Sequence, residues 1–168
     1  FDLINYCKNS NYLELKCLSV HIGSQILDHK PYEKMLNVID RIIKKTNYQF
    51  EFIDLGGGMG ISYNDNDKKL DYTKYNLAIK KFLKNHKSKI IFEPGRSIVG
   101  NTGTLISKII YIKKSERKNF IILDAAMNDL LRPALYGTTH KMLPSIKTNK
   151  KSKKVYEFVG PICESTDK

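Results

Sequence analysis

The sequence predicts an α/β chain: the C-terminal part of a (β/α) barrel, running into the start of an antiparallel β-domain. Three observations carry this. Short apolar strands alternate with amphipathic helices over residues 15–93. After Arg96 the helical spacing gives way to β-branched runs. Five motifs sit where predicted strands end: His21-Ile-Gly-Ser-Gln25, Asp54-Leu-Gly-Gly-Gly-Met-Gly60, Glu93-Pro-Gly-Arg96, Asp124-Ala-Ala-Met-Asn-Asp-Leu-Leu-Arg-Pro-Ala-Leu-Tyr-Gly137 and Gly160-Pro-Ile-Cys-Glu-Ser-Thr-Asp167. Loops at the carboxyl ends of parallel strands are where a (β/α) barrel assembles a site from many segments.

Each element has its own signal. Residues 1–12 read as a helix end and its exit. Leu15–Ile22 is a nearly continuous apolar run, the pattern of a strand buried on both faces. Pro31 opens a helix over Tyr32–Lys45, whose Met35, Leu36, Ile39, Ile42 and Ile43 form one stripe. Phe50–Leu55 is the next strand, ended by three glycines. A polar loop leads to a second amphipathic helix over about Tyr72–Asn85, with Tyr75, Ala78, Ile79 and Phe82 inward, and Lys89–Glu93 is the third strand. Strand–helix alternation of this kind marks a parallel sheet. Thr104–Lys114 and Phe120–Asp124, joined by a turn over 116–119, predict an antiparallel hairpin, and Lys154–Val159 a further strand. Only a short helical segment, Met127–Leu135, interrupts them. The change of rhythm places a boundary between residues 97 and 103, giving 1–98 as partial barrel and 99–168 as the beginning of the β-domain.

A chain of 168 residues, 41% hydrophobic, has enough apolar content for a core, and length alone suggests one domain, against the pattern just described. It begins at Phe1 and stops directly after the last motif, which reads as a piece of a longer polypeptide. No apolar run is long enough to span a bilayer and no signal-peptide pattern is visible, so no membrane partner is expected. Cys7, Cys17 and Cys163 show neither metal-ligand spacing nor a disulfide framework, which suits a reducing, cytoplasmic setting with no metal site. The net charge of +12 raises nucleic acid as a partner. Its densest cluster, Lys147–Lys154, has no interleaved aromatics and reads as a solvated loop, so no nucleic-acid partner is expected.

The motifs carry the chemistry. Gly56-Gly57-Gly58 lets backbone N–H groups face an anion, or is simply a tight turn. It matches neither a P-loop nor a dinucleotide fingerprint. Glu93, fixed before Pro94 and Gly95, suits holding a ring nitrogen protonated, and Arg96 offers a permanently cationic fork for phosphate or carboxylate. Taken alone, the two also read as a surface ion pair. His21 can stack on a planar ligand and Ser24 can donate to a phosphate, or both can be structural. Asp129, Arg132 and Tyr136 share a near-helical spacing on a short segment, which also reads as a capped, solvated turn. Cys163, a loop thiol beside Glu164, suits a proton donor better than a nucleophile, and otherwise reads as a small hydrophobe.

Taken together, these stretches resemble the diaminopimelate decarboxylase family, pyridoxal-phosphate enzymes of the alanine-racemase-like barrel class, from about residue 15 to residue 168. The last two motifs are the most specific part of the resemblance. It implies a TIM-type barrel followed by a β-domain, with pyridoxal 5'-phosphate at the barrel mouth. It implies that His21 stacks on the cofactor ring, that Ser24, Gly58, Gly95 and Arg96 line its phosphate region, that Glu93 partners the pyridine nitrogen, and that Pro94 is also cofactor-binding. Arg96, Arg132 and Tyr136 would hold substrate carboxylates, Glu164 the distal amino group, and Cys163 would be the proton donor. In this family Cys163 and Glu164 would reach the neighbouring subunit's site, implying a homodimer. The cofactor-bonded lysine belongs upstream of Phe1 and a phosphate-contacting tyrosine beyond Lys168, so this chain alone is expected to be inactive. The activity implied is decarboxylation of meso-2,6-diaminoheptanedioate to L-lysine, the last step of lysine biosynthesis. A decarboxylase of ornithine, arginine or carboxynorspermidine, or a non-catalytic binding module, is the alternative.

Overall fold

The computed structural model describes residues 2–64, 66–147 and 154–167. They form α1 (Asp2–Lys8), β1 (Cys17–Ser19), α2 (Lys30–Thr46), β2 (Phe52–Asp54), α3 (Tyr72–Leu83), β3 (Lys89–Ile91), α4 (Arg96–Val99), β4 (Ile109–Lys114), β5 (Asn119–Leu123), α5 (Arg132–Tyr136) and β6 (Glu157–Val159). Two compact units result, one holding the chain up to Ser62 and Asn66–Gly103, the other holding Tyr63 and the chain from Thr104 on.

In the first unit β1, β2 and β3 form a parallel sheet in that order, with Leu18, Ile53 and Ile90 in register. Each crossover is a helix, as parallel neighbours require. α2 carries Pro31 in its first turn and stops at Asn47, which takes the left-handed conformation (φ 47°) and donates its N–H to the Ile43 carbonyl. α3 is capped by Asp71, whose carboxylate accepts from the Lys74 N–H at 3.0 Å. The apolar stripes point inward: Met35, Leu36, Ile39 and Ile43 of α2, and Tyr75, Ile79 and Phe82 of α3, join Phe50, Ile53 and Leu55 in one core. Burying each such side chain contributes about 1.5–3 kcal/mol.

Two expectations need correcting. The run Leu15–Ile22 is not buried on both faces: only Cys17–Ser19 is strand, with Leu18 half-buried and its neighbours exposed. Among the described residues β1 and β3 are the edges of this sheet, and β2 lies between them. In the second unit β4 and β5 are the expected antiparallel hairpin, but β6 pairs parallel to β5, so this sheet is mixed rather than antiparallel. The connection from β5 to β6 is long enough, and contains α5, for the chain to return and enter in the same direction. The lysine cluster lies outside the described residues over 148–153. No helix among the described residues is long and apolar enough to cross a membrane.

Candidate active site

The three strand exits of the first unit continue the sheet's hydrogen bonding past the strands. Val20 N–H donates to Asp54 O (2.9 Å), Leu55 N–H to Ile91 O (3.0 Å) and Glu93 N–H to Gly56 O (2.9 Å). Asp54, buried at the end of β2, accepts from Ser19 Oγ (3.1 Å) and Gly56 N–H (2.8 Å) and so fixes the start of the glycine turn. Tyr32 of α2 is fully buried and donates its hydroxyl to Gly57 O at 3.3 Å from beneath. It stacks on Tyr75, and burial pushes its pKa up to about 12.

The glycines fall into two groups. A Cβ on Gly56 would lie 2.6 Å from Val20 O, and one on Gly57 or Gly58 would overlap the Glu93 or Gly23 carbonyl. Gly58 also takes a φ of +86°. The turn therefore needs glycine because neighbouring strand exits press against it. Gly23 and Gly95 are different, since a Cβ there would meet nothing within 4 Å. His21, Ser24 and Glu93 are exposed at this same end of the sheet. Pro94 lines a mainly apolar groove of about 590 Å³ together with Met59, Tyr75, Phe92, Ser97 and Ile98. Gly95 caps α4, and Arg96, its first residue, donates from Nη1 to Gln25 Oε1 at 3.0 Å.

The second unit holds its motif residues by carboxylates. Asp124 accepts from Lys108 N–H (2.8 Å) and Ser107 Oγ (2.7 Å), which together hold its carboxyl below the usual carboxylate range. Asp129 accepts from Ala126 N–H at 2.9 Å and shapes the turn that precedes α5. α5 ends at Gly137, left-handed at φ 60°, whose N–H donates to Pro133 O (2.9 Å). The Arg132 guanidinium lies 5.7 Å from the Tyr63 ring centroid and 5.5 Å from that of Tyr136, within cation–π range of both. The His140 ring meets Tyr63 edge-on at 5.3 Å. Among the described residues Arg132 Nε, Thr138 Oγ1 and His140 Nε2 are buried with no hydrogen-bond partner.

Cys163 and Glu164 are both exposed. The Glu164 carboxylate accepts from the N–H (2.8 Å) and the hydroxyl (3.0 Å) of Ser165. Their loop is closed by Asp167, which is buried and accepts from Met127 N–H (2.7 Å) and Ile162 N–H (2.8 Å). A Cβ on Gly160 would overlap the Asp167 carboxylate, so the loop needs glycine there.

Sequence reasoning gives Gln25, Tyr63, His140 and Asp167 no role. Gln25 and Asp167 close two of the quoted motifs, which is the signal that could have raised them. Tyr63 and His140 lie outside every motif and become visible only through the contacts of Arg132.

The profile of the family described as "Pyridoxal-dependent decarboxylase, C-terminal sheet domain" matches residues 10–168. Diaminopimelate decarboxylase of Aquifex aeolicus is 42% identical over 166 residues, covering 96% of this chain and 39% of that protein. The crystal structure of diaminopimelate decarboxylase from Helicobacter pylori complexed with L-lysine is 36% identical with a TM-score of 0.83, covering 99% of this chain and 41% of that one. That from M. jannaschii in co-complex with L-lysine is 30% identical with a TM-score of 0.87, covering 99% of this chain and 40% of that one. The chain thus spans about two fifths of the length of these relatives. With the profile extending over nearly all of its length, the chain belongs to the pyridoxal-dependent decarboxylases.

Proposed function

We propose that the full-length gene product containing this chain decarboxylates meso-2,6-diaminoheptanedioate to L-lysine and CO₂ in the cytoplasm, as a homodimer using pyridoxal 5'-phosphate. The observation that carries this reading is the likeness, at 37–42% identity, to proteins named diaminopimelate decarboxylase over nearly the whole chain. We assign residues 1–98 to part of a TIM-type barrel and residues 99–168 to the start of the β-domain.

The strand-end residues fit a phosphorylated pyridine. Gly23 and Gly95 leave open space beside Ser24 and Arg96, and His21 and Glu93 are exposed at the same end of the sheet. When bound, the cofactor supplies an electron sink for the pair left behind as CO₂ departs. Glu93 holds a proton on the pyridine nitrogen, which keeps that sink strong. His21 lays its imidazole on the ring, Ser24, Gly58, Gly95 and Arg96 surround the phosphate, and Pro94 belongs to the same cofactor-binding stretch.

Arg132 and Tyr136 receive a substrate carboxylate, and Arg96 a second. The two tyrosine rings beside the Arg132 guanidinium support this role, because they orient its plane without neutralising its charge. Glu164 takes the distal ammonium group. Cys163 delivers a proton from Sγ to the carbon that has lost CO₂. Both act in the partner subunit's site, and exposed Ile109, Ile110, Tyr111 and Ile112 of β4 supply apolar surface for such a partner.

The test is CO₂ release by the full-length gene product from diaminopimelate, ornithine, arginine and carboxynorspermidine. A site that pairs both substrate ends should favour diaminopimelate by at least about 100-fold in kcat/KM. Equal or faster turnover of any of the other three overturns the substrate assignment.

A further inference from the structure

Gln25 stands in an unusual backbone conformation and makes an unusual set of bonds. Its φ is +61°, in the left-handed region, where a side chain with a Cβ is disfavoured and glutamine has no local means of compensating. Its side chain makes up for that across the sheet. Nε2 donates to Ile61 O at 2.6 Å, while Oε1 accepts from Ile61 N–H at 3.3 Å and from Arg96 Nη1 at 3.0 Å. One amide therefore ties together the chain leaving β1, the chain beyond the β2 turn and the first residue of α4. The parallel bridge between Ile26 and Met59 holds the same two segments, one residue from Gln25 and two from Ile61. Gly60 makes room for it, since a Cβ there would lie 3.1 Å from Gln25 Oε1 and 3.0 Å from the Gln25 carbonyl carbon.

We propose that Gln25 is a positioning residue that fixes the guanidinium plane of Arg96 toward an oxyanion, the phosphate ester of the cofactor or a substrate carboxylate, at the strand exits. This rests on the reading of Arg96 given under Proposed function. A guanidinium is a planar fork of five donors, so a bond at Nη1 sets the direction of the whole fork. An amide does this without neutralising the charge. A carboxylate at the same place would pair with Arg96 and compete with the anion.

The test uses Gln25→Met, Gln25→Glu and Arg96→Met in the full-length gene product. Pyridoxal phosphate affinity is read on the apoprotein by fluorescence, and KM and kcat for diaminopimelate on the loaded enzyme. Methionine keeps the volume of glutamine and removes every bond. Gln25→Met should weaken one of these anion affinities about 10-fold, as expected for directly coupled residues, with kcat little changed. Loss of cofactor affinity identifies the phosphate, and loss confined to KM identifies the carboxylate; either supports the proposal. Gln25→Glu should weaken it further. In the Arg96→Met background, Gln25→Met should have no additional effect, and additive losses overturn the proposal. If Arg96→Met changes neither affinity, the assignment of Arg96 to an anion fails and takes this inference with it. If Arg96→Met weakens binding while Gln25→Met does not, the inference alone fails. Amide exchange at Ile61 reads the latch without any ligand: it should accelerate in Gln25→Met, and an unchanged rate refutes the bond set.

Discussion

In the first unit the residues at the strand exits stand on an apolar floor. Ile53 and Leu55, in and just after β2, are fully buried under α2 and α3, and thirteen buried hydrophobic residues form one cluster there. In the second unit, among the described residues, Ala126 is the one buried apolar side chain, every residue of β4 is exposed, and the deepest polar group is the carboxylate of Asp167. Packing sets the first group of site residues; charge-assisted bonds to backbone N–H groups set the second. Non-directional burial spreads its stabilisation over many contacts, whereas a carboxylate bond concentrates it in one or two. The two groups of residues should therefore fail differently.

Removing packing is the larger perturbation. Ile53 is fully buried between α2, α3 and the flanking strands, so Ile53→Ala should cost about 2–5 kcal/mol of stability. Urea denaturation of the full-length gene product measures this. A cost under about 1 kcal/mol would mean that β2 is not the centre of the floor and that packing does not govern this unit.

Asp167→Ala comes next. It leaves the N–H groups of Met127 and Ile162 without their shared acceptor. Hydrogen bonds to a charged group contribute about 1.5–3 kcal/mol each, and the loop can relax toward water, so a net loss of about 2–3 kcal/mol is expected. The effect should be local: amide exchange at Met127 and Ile162 accelerates by about 30- to 150-fold while exchange in β2 is unchanged. Equal acceleration in both units would show that the second unit does not depend on its own carboxylates. Asp167→Asn, which keeps one acceptor oxygen, should recover part of the loss.

These differences also explain what the sequence made legible. The helices were readable because α2 and α3 carry their apolar stripes at a local period and their stop and start signals, Asn47 and Asp71, lie within a turn. The parallel entry of β6 was not readable, because it depends on the route of the chain between Leu123 and Glu157 rather than on the strand itself. The exposure of β1 was missed for a related reason, since an apolar run does not say how many neighbours its sheet supplies. Within the candidate site, motif order exposed His21, Glu93, Arg96, Arg132 and Cys163 as residues of interest. It could not single out Gln25 or Asp167, whose bonds join residues 71 and 40 positions apart. Polar residues in a glycine-rich motif look alike until the fold decides which one is covered.

The smallest expected effect concerns His140 and takes the form of a pH dependence. Burial, and secondarily the charge of Arg132, lower its pKa below the ordinary histidine value of about 6.5. The folded chain therefore resists the proton that the unfolded chain accepts. Above about pH 6.5 both states are neutral at this ring and the contribution to stability is complete. As pH falls below that value the unfolded state gains protons first, and stability declines until the folded pKa has been passed. His140→Phe keeps a ring against the edge of Tyr63 and removes the titration. Amide exchange at Gly137, whose bond to Pro133 closes α5, reports locally. Between pH 7.5 and 5.5, after correction for intrinsic exchange rates, its protection should fall in the native protein and stay level in the variant. Every other residue is the same in both proteins, so the difference between the two profiles belongs to His140. Parallel profiles would mean that protonation of this ring is not what the second unit resists, and that its dependence on charge is confined to the carboxylates.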